Sequence, residues 1–258
     1  MGDIELQPDN LNPAIVSGDY DGDEFDDIAI FRPASGLWAI RGISRLYFGG
    51  SGDELIPADY DGDGTADPGI FRATCGLWAI KGVTRAYFGT FADIPIPGDY
   101  DGDGTAEVGI YRNSSGLWAI RSVTRAYFGG RYDQPVPGDY DGDGLWEPSI
   151  FRPSSGLWAL RAVSRLYFGA SGDRLIPGDY DGAGFRSIAI FRESSGLWAI
   201  KEVTRCYFGA AGDLPIPADY DGTGLDVIGI FRESSGLWSI RGVTRAYFGG
   251  LNDIPVTR

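Results

Sequence analysis

The motif Asp-Tyr-Asp-Gly begins at Asp19, Asp59, Asp99, Asp139, Asp179 and Asp219, always 40 residues apart. Gly-Leu-Trp keeps the same period through Trp38, Trp78, Trp118, Trp158, Trp198 and Trp238. So does Tyr-Phe-Gly, through Tyr47, Tyr87, Tyr127, Tyr167, Tyr207 and Tyr247. Six units thus fill 240 of the 258 residues. A fixed period of this size calls for an architecture in which each copy of one small unit packs on the next. Repeats two and three are identical at 27 of 40 positions, a closeness that points to recent duplication or deliberate construction.

Each unit reads as four short strands. In the second, Leu55 to Tyr60 forms the first, followed by a loop over 61–67. Gly69 to Arg72, Leu77 to Lys81 and Arg85 to Gly89 form the rest. Gly and Pro punctuate the strand ends, while β-branched and aromatic residues fill the strands. No segment sustains the 3.6-residue apolar period of a helix. Four strands per 40 residues predict an all-β fold, a single six-bladed β-propeller with four antiparallel strands per blade. The blades occupy residues 14–250, with units starting near 14, 54, 94, 134, 174 and 214. Residues 1–13 form a rim or closure segment, and 251–258 a closure strand. Leu251 to Val256 aligns with Leu11 to Val16, so either end could supply the strand that closes the ring. Of the 35 aromatics, 30 occupy the repeat positions of Tyr20, Phe31, Trp38, Tyr47 and Phe48, which reads as packing between blades.

Composition narrows the chemistry. The chain has no histidine, which excludes a His general base, a Ser-His-Asp triad and His-ligated metal. Its net charge of −14 argues against nucleic acid as a partner. No apolar run is long enough for a membrane-spanning helix, so no membrane insertion is expected. Cys75 and Cys206 fall in blades two and five, on opposite sides of a six-membered ring. They are predicted to be free thiols, because a disulfide needs Cα atoms within about 7 Å. A monomer is expected.

The loop after the first strand carries the strongest chemical signal. In repeat two it runs Asp59-Tyr60-Asp61-Gly62-Asp63-Gly64-Thr65-Ala66-Asp67, with carboxylates at loop positions 1, 3, 5 and 9. So many carboxylates in nine residues repel one another unless a cation joins them. Hard oxygen ligands suit Ca²⁺. Glycine at position 6 permits a tight turn, and position 7 can offer its carbonyl. An EF-hand is excluded, because position 12 is Ile70 rather than a glutamate.

The spacing D-x-D-x-D-G-x-x-D between two strands, with Tyr-Phe-Gly closing the unit, resembles the FG-GAP and VCBS-type repeats of integrin α-subunit propellers and bacterial surface proteins. The resemblance covers all six repeats, roughly 19–250. It implies Ca²⁺ held through positions 1, 3, 5 and 9 and the carbonyl of position 7. Carried over, repeat one offers Asp19, Asp21, Asp23, Asp27 and the carbonyl of Phe25. Repeat two offers Asp59, Asp61, Asp63, Asp67 and Thr65. Repeat three offers Asp99, Asp101, Asp103, Glu107 and Thr105, and repeat four Asp139, Asp141, Asp143, Glu147 and Leu145. Repeat one departs at position 6, where Glu24 replaces glycine. Repeats five and six carry Ala183 and Ser187, and Thr223 and Val227, at positions 5 and 9. About four structural calcium ions and two empty loops are therefore expected. Four ions would move the net charge from −14 to −6.

Ligand contacts are expected on the face bearing the links between blades, by analogy with other propellers. Phe91, Arg131 and Tyr132 stand out there as bulky residues in two neighbouring links. An aromatic beside an arginine can stack on a sugar or hold an acidic group. Trp146, in the calcium loop of blade four, reads as a rim contact. Of 22 basic residues, 18 fall at the positions of Arg32, Arg41 and Arg45, which suggests framework pairing with the recurrent Asp residues. The leading reading is a non-enzymatic, calcium-stabilised extracellular or cell-surface module for recognition or adhesion. Its sharpest form is a lectin, similar to fungal propeller lectins with sugar sites between blades, with glycans or an extracellular protein as partner. The alternatives are a structural or engineered repeat scaffold without a small ligand, and a propeller hydrolase or lyase. The last is disfavoured because no asymmetric polar cluster emerges from so regular a sequence.

Overall fold

A computed structural model describes residues 18–256. Six four-stranded antiparallel sheets follow one another in chain order, as expected for a six-bladed propeller. Blade two is representative. Glu54–Leu55 pairs with Gly69–Arg72, which pairs with Leu77–Ile80, which pairs with Thr84–Tyr87. The first strand is shorter than the sequence suggests. Pro57 has no N–H to give a ladder, so pairing lapses after Ile56 and resumes only as a bridge between Ala58 and Asp67.

The two-residue period of the strands assigns the faces. Phe71 lies opposite Trp78, with ring centres 5.4 Å apart, and Ile70 lies opposite Ala79 on the other face. The Phe/Trp face of blade two packs on Ile110, Leu117 and Ala119 of blade three. The same interlock recurs round the ring, so the core is six inter-blade layers rather than one central mass. All six tryptophans of the Gly-Leu-Trp motifs are fully buried. The Nε1–H of Trp78 donates to Phe88 O at 3.0 Å, and its counterparts do the same, which satisfies the one polar atom each indole carries into the core.

One of the five aromatic positions does not pack between blades. Tyr47, Tyr87, Tyr127, Tyr167, Tyr207 and Tyr247 are largely exposed. They sit on the outermost strands, where alternation turns Ala86 and its counterparts inward and leaves tyrosine and the arginine two residues before it outside.

The ring closes through the C-terminal end. Ile254–Val256 pairs with Ala29–Arg32 and supplies the innermost strand of blade one. The alternative closing segment, residues 11–16, lies outside the described residues, as do residues 1–13. Cys75 and Cys206 are free thiols.

Candidate metal centres and ligand grooves

The acidic loops are organised by their own carboxylates. Asp59 accepts the amides of Gly62 at 2.7 Å and Gly64 at 3.0 Å, and Asp67 accepts that of Tyr60 at 3.0 Å. Asp99 and Asp139 bind the equivalent amides in their loops. These bonds fold nine residues into a turn and aim carboxylates inward. Asp59, Asp61 and Asp67 bring ligand oxygens within 4.8 Å of one another. So do Asp19, Asp21 and Asp27, and Asp99, Asp101 and Glu107. In blade four Asp139, Asp141, Asp143 and Glu147 all converge.

The fifth loop position behaves unequally. Asp63 and Asp103 accept both the amide and the hydroxyl of Thr65 and Thr105 and stay out of the tight group. Asp143 accepts only the amide of Leu145 and joins its neighbours. Asp23 accepts the amide of Phe25 and also stays apart. Loops five and six gather no such group among the described residues. Glu24 takes a left-handed φ of 67°, where other loops use glycine. A non-glycine residue there costs about 1–2 kcal/mol.

Electrostatics mark the same positions. Partial burial, and then the neighbouring carboxylates, push the ninth-position acids up: Asp27 and Asp67 to about 6 and Glu147 to about 7. Glu107 moves in the same direction for the same reasons. A divalent cation would relieve this repulsion. The donor set is entirely hard carboxylate oxygen, the kind of ligand Ca²⁺ takes.

A second feature escaped sequence reasoning. The amide of the eighth loop residue donates to the carbonyl of the first Asp in the preceding blade. The bonds run Ala66 to Asp19, Ala106 to Asp59, Trp146 to Asp99, Arg186 to Asp139, Asp226 to Asp179 and Asp26 to Asp219, at 2.6–2.8 Å. They form a closed belt of six. Trp146 is therefore no rim contact: it lies over Gly98 and Tyr100 of blade three, with the Arg186 guanidinium 4.8 Å from its ring centre. The sequence signal was available, since position 8 alone mixes an acid, an arginine, a tryptophan and alanine across the six loops.

The links are built on ion pairs. Arg32, Arg72, Arg112, Arg152, Arg192 and Arg232 each grip the link Asp of their blade through Nε and Nη2 at 2.7–2.8 Å. Those carboxylates are almost wholly buried, whereas the arginines are about half exposed. The basic positions of Arg41 and Arg45 do not join this framework.

Between blades lie grooves. One, of about 420 Å³, is lined by Phe88 and Gly89 of blade two and Ile110, Arg112, Leu117, Ala119 and Arg125 of blade three. Another, of about 290 Å³, is lined by Phe168 and Gly169 and by Ile190, Arg192, Leu197, Ala199 and Arg205, the same repeat positions. The other ligand candidates are placed differently. Phe91 and Tyr132 are exposed, and Arg131 lies 5.0 Å over the Tyr132 ring. Tyr132 holds a φ of 74°, its amide bound by Asn113. Phe91 makes no ring contact with Tyr132 among the described residues.

The class defined by this fold is the six-bladed β-propeller. No protein-family model matches the chain, and no curated protein matches it either. Among solved structures, the chain is similar to BBS1N in a crystal structure of its complex with ARL6DN, soaked with lead. The TM-score is 0.55 at 8% identity, covering 91% of this chain and 81% of that one, a likeness of fold alone.

Proposed function

We propose that the chain is a non-enzymatic, calcium-stabilised recognition module of the cell exterior that binds carbohydrate in the grooves between its blades. The observation that carries this reading is the recurrence of grooves at two junctions that share seven lining positions of the repeat. The half-buried ring of Phe88 offers the C–H face of a sugar an aromatic surface, while Ile110, Leu117 and Ala119 beneath it are buried against blade two and fix the groove's wall. Arg112 spends two of its N–H groups on Asp93, which fixes the guanidinium and leaves donors for hydroxyl or acidic groups. A buried carboxylate thereby orients a half-exposed base without neutralising its hydrogen-bonding capacity.

Calcium in the four acidic loops is part of the same reading. Asp19, Asp21 and Asp27, and the equivalent residues of blades two to four, would hold the ions. The chemistry supplied is charge neutralisation, which rigidifies the turns that carry the belt. Weak calcium sites fill at extracellular calcium concentrations, which fits an external location.

Screening the protein on a glycan array in millimolar calcium, with a parallel arm in EDTA, tests the proposal. Binding in calcium that EDTA abolishes is expected. Replacing Arg125 by Ala should remove one groove's share of the capacity and leave the rest, as independent repeated sites require. Silence from protein shown to be folded would reject carbohydrate recognition and leave the scaffold reading, which the near-identity of the repeats supports. Loss of all binding from the single variant would reject independent repeated sites.

A further inference from the structure

The repeated bases meet different fates. Those at the Arg32 position are spent on the link aspartates. At the Arg41 position, Lys201 pairs with Glu202 and Arg241 reaches Cys206 Sγ at 3.3 Å. At the Arg45 position, Arg45, Arg85, Arg125, Arg165, Arg205 and Arg245 are all exposed. None of these six makes an ion pair among the described residues.

Strand register fixes where these guanidinium groups stand. Arg125 lies opposite Ala119, which lies opposite Ile110. Residues opposite one another share a face of the sheet. Here it is the face that packs on blade two, so Arg125 borders the groove between blades two and three. Arg205 lies opposite Ala199, which lies opposite Ile190, and it borders the groove between blades four and five in the same way.

Both linings contain arginine and no acid: Arg112, Arg121 and Arg125 in one, Arg192 and Arg205 in the other. Acids outnumber bases 36 to 22 in the whole chain, so a lining with bases alone departs from the rest of the molecule. Arg112 and Arg192 are matched by Asp93 and Asp173, whose carboxylates are buried. Arg125 and Arg205 have no such counterpart, so net positive charge remains in each groove. The hydroxyls of a neutral sugar would leave that charge unmatched. A carboxylate on the sugar matches it, because a planar guanidinium gives a planar carboxylate two parallel N–H bonds.

We infer that the saccharide taken by these grooves is acidic, a hexuronic acid whose carboxylate is held by the guanidinium at the Arg125 position. The inference rests on the carbohydrate reading above and names the class of sugar.

Calorimetric titration of the whole chain in millimolar calcium tests it with three ligands that differ only at C6 of each ring. They are β-1,4-linked triglucuronate, its methyl ester and cellotriose. The chain's net charge of −14 repels a long polyanion, which is why a trisaccharide is the probe. The acid should bind about tenfold more tightly than the ester, the worth of one charge-assisted pair. Arg45→Gln, Arg85→Gln, Arg125→Gln, Arg165→Gln, Arg205→Gln and Arg245→Gln made together should bring acid and ester to about equal affinity. An unchanged melting temperature would verify the fold of that variant, since these side chains are exposed and unpaired. Equal binding of acid and ester by the unaltered chain would overturn the inference and leave the carbohydrate reading standing. So would a preference for the acid that survives all six substitutions. Failure of all three ligands to bind would also overturn it, and the glycan array decides separately whether the broader reading falls too.

Discussion

At the residue scale, the informative side chains are those that break the repeat. Glu54 occupies the innermost strand where other blades place Ile94, Gln134, Arg174, Leu214 and Ile254. Burial pushes its carboxyl up to about 7. The folded state therefore holds this proton more tightly than the unfolded chain does. Stability falls as pH rises from the usual carboxylate range, near 4.5, through about 7. Glu54→Gln should leave stability unchanged at pH 4 and raise it by about 2 kcal/mol at pH 8, measured by chemical denaturation at both values. An equal gain at both would show that ionisation is not the cause. Such a position is invisible to sequence patterning, since a glutamate in a two-residue strand signals nothing about its burial.

At the scale of the loop and strand, the blades interlock like shingles. Position 7 of each loop lies over the glycine at position 4 of the preceding one, as Leu145 does over Gly102. Position 8 lies over the residue just before the preceding loop. A Cβ on Gly98 would sit 2.3 Å from the Trp146 ring, although Ala58 and Ala218 occupy the same place where the neighbour is smaller than Trp. Gly98→Ala should therefore cost about 1–3 kcal/mol as an overpacking change. The same substitution made in a Trp146→Ala background should cost far less, since the clash is gone. A double-mutant cycle by denaturation measures that coupling, and strict additivity would refute the contact. The nine-residue loop was legible as a carboxylate turn because its ligands are local in sequence. The partner of position 8 was not, because it lies 47 residues back along the chain.

For the whole molecule, the decisive feature is closure. The ladder between Ile254–Val256 and Ala29–Arg32, the fork of Arg32 on Asp253 and the bond from Asp26 N to Asp219 O join the last blade to the first. A propeller stabilised by nearest-neighbour layers gains one more layer when the ring shuts. Removing residues 251–258 strips the innermost strand and the Asp253 partner from blade one. The truncated chain should melt well below the full chain, by roughly 10 °C or more, taking a loss of several kcal/mol in a protein of this size. Differential scanning calorimetry checks this, and an unchanged transition would mean that closure does not depend on the C-terminal strand.

The sequence by itself determined the number of blades, the strand pattern within each, and the local carboxylate turns. All of these follow from a fixed period and from residues a few places apart. It also implied framework pairing of the repeated bases with recurrent aspartates, which the structure realises for the Arg32 position alone, as forks on the buried link aspartates. Tertiary structure alone decided which end closes the ring, because two segments of matching sequence competed for one edge. It also turned the Tyr47-type side chains out into solvent, because an outermost strand has no further blade to cover that face. And it gathered Trp146, Arg186, Asp226 and Asp26 round one cavity. Those residues are 40 positions apart at the closest, and only the curvature of the ring brings them together.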